Sequence, residues 1–209
     1  MTTKSFCRLA AAGVALAVAA GCSPAKSETP APVKAAAPAP VAASDFRTTA
    51  TIKDIMDSIV DPNADFLWDS VSTIVTRKGI DEKRPRTPDE WKEVRRHAIA
   101  LLEATNLIIM DGRKVAHPGE KSENPGVELG PEDIQALIDA DHATLIQRAH
   151  ALHDATMKAL TAIDNKNVDG LSDAGEAIDE ACEQCHLKYW YPPNTPDILK
   201  KASVRKAPL

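Results

Sequence analysis

Val168-Asp169-Gly170-Leu171-Ser172-Asp173-Ala174-Gly175-Glu176-Ala177-Ile178-Asp179-Glu180-Ala181-Cys182-Glu183-Gln184-Cys185-His186-Leu187-Lys188-Tyr189-Trp190 is the stretch on which the reading of this 209-residue chain turns. Leu171, Ala174, Ile178, Cys182, Cys185 and Tyr189 recur at helical period on one face, with His186 at its edge. Asp169, Asp173, Glu176, Asp179, Glu180 and Glu183 fall on the other. That periodicity marks an amphipathic helix with one buried stripe. Pro192-Pro193 ends it, because proline has no N–H to continue the ladder and clashes with the preceding turn. Both thiols are therefore expected to point into a helical core.

The run Cys182-Glu183-Gln184-Cys185-His186 has the spacing by which c-type haem is attached. Two thiols form thioethers with the two vinyl groups, and the adjacent His ligates iron. Two plainer readings compete. One is a buried thiol pair beside an unrelated His. The other is a zinc half-site, which needs two more ligands; once the signal is removed, the other cysteine is Cys22, which the lipobox reading below gives to lipid. A thioredoxin-like dithiol would follow a strand in a βαβ unit, whereas this pair sits late in a helix.

At the other end, residues 1–21 read as an export signal. Lys4 and Arg8 are followed by a short apolar run from Leu9 to Ala20 and by small residues. The run is too short for a comfortable membrane span. Ala19-Ala20-Gly21-Cys22 resembles a bacterial lipobox, which would make Cys22 a lipidated first residue and anchor the chain in a membrane. Cleavage nearby with Cys22 a bystander is the alternative. Residues 22–44 form a tether: positions 23–44 hold five Pro and eight Ala. Such a composition cannot build a core and, at about 3.1 Å per residue, reaches about 60–70 Å. Residues 196–209 read as a flexible basic tail with Lys200, Lys201, Arg205 and Lys206.

Between tether and tail, residues 45–195 are expected to fold as one domain. Three amphipathic segments precede the motif helix. The first runs from about Thr51 to Val75, with Ile52, Ile55, Met56, Ile59, Phe66, Leu67 and Ile74 inward and Asp54, Asp57, Asp61, Asp65 and Asp69 outward. Pro62 either kinks it or starts a new helix after Asp61. The second runs from about Pro88 to Met110, behind the capping sequence Thr87-Pro88-Asp89-Glu90. The third runs from Pro131 to about Ile163, after a long loop from Asp111 to Gly130. The expected fold is all-α, an antiparallel four-helix bundle with covalent haem on its C-terminal helix.

Helix count, C-terminal motif and a Tyr three places after the His resemble the cytochrome c-prime family and its low-spin relatives over roughly residues 48–192. The specific part is Cys182 to Tyr189. The resemblance implies one covalent haem c held by Cys182 and Cys185, His186 as axial ligand and Tyr189 beside the haem. In the low-spin relatives a first-helix Met is the second axial ligand, and Met56 is the matching residue. A homodimer through first-helix contacts is a further implication, although here that helix carries a row of Asp. The family commonly has a basic residue after the Tyr; this chain has Trp190.

The sixth iron position decides between two functions. A His–Met pair suits one-electron transfer; an open apolar side suits binding of NO or CO by five-coordinate iron. Met56 could equally be a core filler. Met110, Met157 and the five other His residues are weaker candidates. No nucleophile–base arrangement is visible, so no enzymatic turnover is expected. The expected function is that of a monohaem electron carrier, periplasmic and lipid-anchored to a bacterial membrane.

Charge narrows the partners. The whole chain carries −5, and loss of Lys4 and Arg8 with the signal makes it −7. Residues 45–194 hold 17 basic and 28 acidic side chains, a net of −11. That sign disfavours nucleic acid. It suits a basic-surfaced redox partner, or simply solvates the outer helix faces.

Overall fold

Thr51 starts the first helix through a reciprocal cap. Its hydroxyl accepts from the Asp54 N–H at 3.1 Å, and the Asp54 carboxylate accepts from the Thr51 N–H at 2.8 Å. The computed structural model describes residues 46–195. The expected signal segment, Cys22, the tether and the basic tail lie outside the described residues.

From that cap, α1 (Ile52–Ile55) runs through a π-helical turn (Met56–Val60) into α2 (Asp61–Asp69). The Asp61 N–H bonds to the Met56 carbonyl five residues back. Pro62 explains the widened turn. It donates no N–H, and in an α-helix its ring would press on the carbonyl four residues earlier. The chain passes Pro62 without breaking, and the Asn63 side-chain amide donates to the Ile59 carbonyl at 2.5 Å. The inserted residue shifts the buried stripe. Ile52, Ile55, Val60, Ala64 and Leu67 are buried, while Ile59 and Phe66, expected on the same face, are only half-buried.

The first helix ends at Asp69 rather than Val75. Residues Thr73–Thr76 form β1, paired antiparallel with β2 (Gly79–Glu82) in the register Thr73↔Glu82 to Thr76↔Gly79. Thr73, Ile74, Val75 and Thr76 are all β-branched, which suits a strand better than a helix. Gly79, at φ +134°, closes the turn in a conformation that side chains resist. Ile74, expected in the core, is 54 % exposed. The hairpin is thus a departure from the all-α expectation.

Helix α3 (Pro88–Ile108) follows its own capping box, Thr87 with Glu90, and has Pro at its first position. The segment expected as one third helix is two: α4 (Pro131–Ala140) and α5 (His142–Asp164). Asp141 separates them at φ −147°, ψ 57°, and its carboxylate caps α5 by accepting from the Thr144 N–H at 3.2 Å. Asn167 caps α6 (Val168–Tyr189), accepting from the Gly170 N–H at 3.0 Å.

Helix packs on helix, as expected. α5 lies against α3 and α6, α2 against α3 and α6, and α4 against α5 and α6. Trp68 on α2 donates its indole N–H to the Gly175 carbonyl at 3.0 Å. That approach favours glycine, since a Cβ there would sit 3.1 Å from the indole ring. Among the described residues no helix is long and apolar enough to cross a membrane.

Candidate functional site

The α6 helix places Cys182, Cys185 and His186 at relative positions i, i+3 and i+4, hence on one face. Both cysteines are free thiols, half-buried against the core. They open on a cavity of about 220 Å³ that is also lined by Met56, His186 and Tyr189. All five residues singled out from the sequence therefore line one space. Its walls are mostly apolar: Ile52, Val60 and Ala64 from the first helix, Ile108 from α3, Ile138 from α4, and Leu145, Ala149 and Leu152 from α5.

Burial governs the chemistry of these groups. It pushes the Cys182 thiol up to about 12 and the Cys185 thiol up to about 11. Both are S–H at neutral pH, so neither is the activated thiolate of a dithiol redox centre. Burial also lowers His186 below its ordinary value, with Asp61, Glu183 and Glu128 opposing. Its imidazole is neutral at pH 7 and keeps a nitrogen lone pair for a metal. Among the described residues no group of three or more His, Cys, Asp or Glu side chains is placed to hold a metal ion.

Tyr189 is 1 % exposed. Its hydroxyl does not end free in the cavity but donates to the Asp141 carbonyl at 2.9 Å. Beside it, Lys188 pairs with the Asp141 carboxylate at 3.1 Å. The Thr144 and Lys188 contacts hold that carboxyl below the usual range. The end of α6 is thereby tied to the break between α4 and α5.

A second cavity, of about 130 Å³, shares Met56, Asp61, His186 and Trp190 with the first. Its far side is the 111–130 segment, which is strapped down at several points. Ile52 and Lys53 N–H groups, the free donors of a helix start, bond to the Lys114 and Val115 carbonyls at 2.8 and 2.9 Å. Lys53 pairs with Asp57 at 3.0 Å and with Glu123 at 2.5 Å. Leu129 N–H donates to the Trp190 carbonyl at 2.8 Å. Trp190 thus anchors this segment and walls both cavities.

Four charged residues of the cavity were not legible as such. Asp61, Asp179 and Glu183 are exposed, as expected of outer helix faces, and also reach the rim of the cavity. Partial burial raises the Asp61 carboxyl, with His186 pulling the other way. The fourth, Arg148, has a buried Nε–H with no hydrogen-bond partner. A signal for it existed: Arg148 lies three residues after Leu145 and four before Leu152, on the stripe itself.

The remaining candidates lie elsewhere. The Met110 sulfur accepts from Arg113 at 3.0 Å, and Met157 is exposed. Of the other histidines, His97 stacks on Phe66 at 3.7 Å and bonds Asn63, and His117 pairs with Asp54 at 2.9 Å. His142, His150 and His153 do not line the cavity either. Comparison of the chain with protein-family models, curated proteins and solved structures returned no match.

Proposed function

We propose that this chain is a monohaem c-type cytochrome of antiparallel four-helix architecture that carries single electrons. The observation behind it is the convergence of Met56, Cys182, Cys185 and His186 on one apolar cavity. The donor set fits haem c. Cys182 and Cys185 would hold the macrocycle as thioethers, neutral His186 would be one axial ligand, and Met56 would be the other. The unpartnered Nε–H of Arg148 at the cavity wall suits a propionate carboxylate, since a buried donor without an acceptor is costly.

Bound there, haem supplies a one-electron iron couple. The protein would set its potential: the aliphatic walls would limit water, His186 and Met56 would fix ligand strength, and Asp61 and Arg148 would add opposite charges nearby. A Met56 thioether on the iron would leave it no vacant position, which would favour electron transfer over ligand chemistry. In this proposal the chain works in the periplasm, held by lipid on Cys22 and the Pro/Ala tether, and meets a basic-surfaced redox protein.

A second reading is a five-coordinate module for NO or CO. It is favoured by the aliphatic side chains Ile52, Val60 and Ala64 that line the cavity with Met56. The reduced absorption spectrum, taken with and without carbon monoxide, tests both. Electron transfer through a His–Met pair predicts no change. A marked shift would transfer the assignment to gas binding, and absence of covalent haem after maturation with an intact attachment system would discard both.

A further inference from the structure

The hairpin β1–β2 touches the haem proposal nowhere, and its composition is opposite to that of the domain. Residues 73–86 hold five basic side chains, Arg77, Lys78, Lys83, Arg84 and Arg86, against Asp81 and Glu82, in a domain whose net charge is −11. Among the described residues none of Arg77, Lys78, Lys83 and Arg84 is in an ion pair within 4.0 Å. Every residue of both strands is exposed.

The ribbon also carries exposed apolar side chains on both faces. Val75 pairs with Ile80 on one face, at 76 % and 68 % exposure. Ile74, opposite Asp81, presents the other face at 54 % exposure. Alternation in a strand normally leaves one face wet and one packed. A groove on a protein would cover one face of such a ribbon. A lipid interface can take side chains from both, with the Arg77–Lys78 turn and the Lys83–Arg84–Arg86 flank offering cations to headgroups at the two ends of the ribbon.

We propose that the Thr73–Glu82 ribbon, with Lys83, Arg84 and Arg86, is a docking element for an anionic phospholipid surface. The cations meet phosphate headgroups while Ile74, Val75 and Ile80 enter the interface. The acidic remainder of the domain is repelled by the same surface, so docking is oriented: the hairpin end goes down. The inference stands whether or not the cavity holds haem.

Amide hydrogen exchange of the mature chain reads this directly. The chain is added to vesicles of phosphatidylcholine alone or of equal parts phosphatidylcholine and phosphatidylglycerol; the neutral vesicles account for any covalent anchor. The expected result is roughly tenfold slower exchange across residues 73–84 on the anionic vesicles only. High salt should reverse it. The pair Arg77→Glu and Lys78→Glu, and separately the set Ile74→Ser, Val75→Ser and Ile80→Ser, should each abolish it with unchanged helical circular dichroism. Equal exchange on both vesicles overturns the proposal. So does protection that appears only with poly-L-glutamate, which would assign the ribbon to an acidic protein.

Discussion

The Tyr189 hydroxyl donates to the backbone carbonyl of Asp141 at 2.9 Å. Asp141 is the residue at which the chain changes direction between α4 and α5, and Tyr189 is the last residue of α6. One hydrogen bond therefore sets the position of a cavity wall on two sides: Leu145 and Arg148 follow from one partner, Cys185 and His186 precede the other.

Tyr189→Phe removes that donor and leaves the half-buried Asp141 carbonyl only the long 3.4 Å bond from the Leu145 N–H. A loss of about 0.5–1.5 kcal/mol is expected in chemical denaturation, since the ring still fills its place. Covalent haem, if bound as proposed, should be retained. No loss of stability would mean that the break at Asp141 is held without Tyr189.

Met56→Ala tests the sixth position. The expected outcome is conversion of a low-spin spectrum to a high-spin one that responds to carbon monoxide. An unchanged spectrum removes Met56 from the iron and leaves it as a side chain of the cavity wall.

Arg148→Met should act with opposite signs on two forms of the protein. In the haem-free Cys182→Ala/Cys185→Ala double variant it removes a buried unpaired donor and should stabilise the fold by about 1 kcal/mol. In the haem-loaded chain it removes the cation offered to a propionate, and should destabilise and lower the reduction potential. The same sign in both forms would separate Arg148 from the bound group.

Acid should destabilise the domain through its helix starts. Asp54 is held low by the Thr51 backbone N–H, Glu90 by the Arg86 and Thr87 N–H groups, and Asp141 by Thr144 and Lys188. A carboxyl whose folded value lies below its unfolded one stabilises above the unfolded value. That contribution is lost as pH falls through the folded value. Their contribution should be complete above about pH 5 and decline below about pH 4. Thermal melts across this range should show a shallower acid slope for Asp54→Asn with Glu90→Gln. An unaltered slope would place the acid sensitivity elsewhere.

Local chemistry made much of the molecule legible in the chain alone. Thr87 with Glu90, Pro88, Pro131 and Pro192 act on their own neighbours, so the ends they set appear where expected. The buried stripes of α3, α5 and α6 follow from spacing within one helix. So does the sharing of one face by Cys182, Cys185 and His186, because i, i+3 and i+4 depend on nothing outside α6. The hairpin was legible too, in four consecutive β-branched residues before Arg77-Lys78-Gly79, but an apolar stripe extended to Ile74 hid it.

Other features needed the third dimension. The π-helical turn adds one residue before Pro62, and one residue is about 100° of rotation in a helix. A straight period gives Asp61 an outward place; the structure keeps it exposed but also brings it to the cavity rim, near enough to His186 for their charges to interact. Asp141 has neither Pro nor Gly beside it to announce a break; its partners Lys188 and Tyr189 are more than forty residues away. Sequence determined which side chains share a helix face, because that geometry is local. Only tertiary packing decided which helix faces meet, and hence that Met56 and Arg148 line the same cavity as the two thiols.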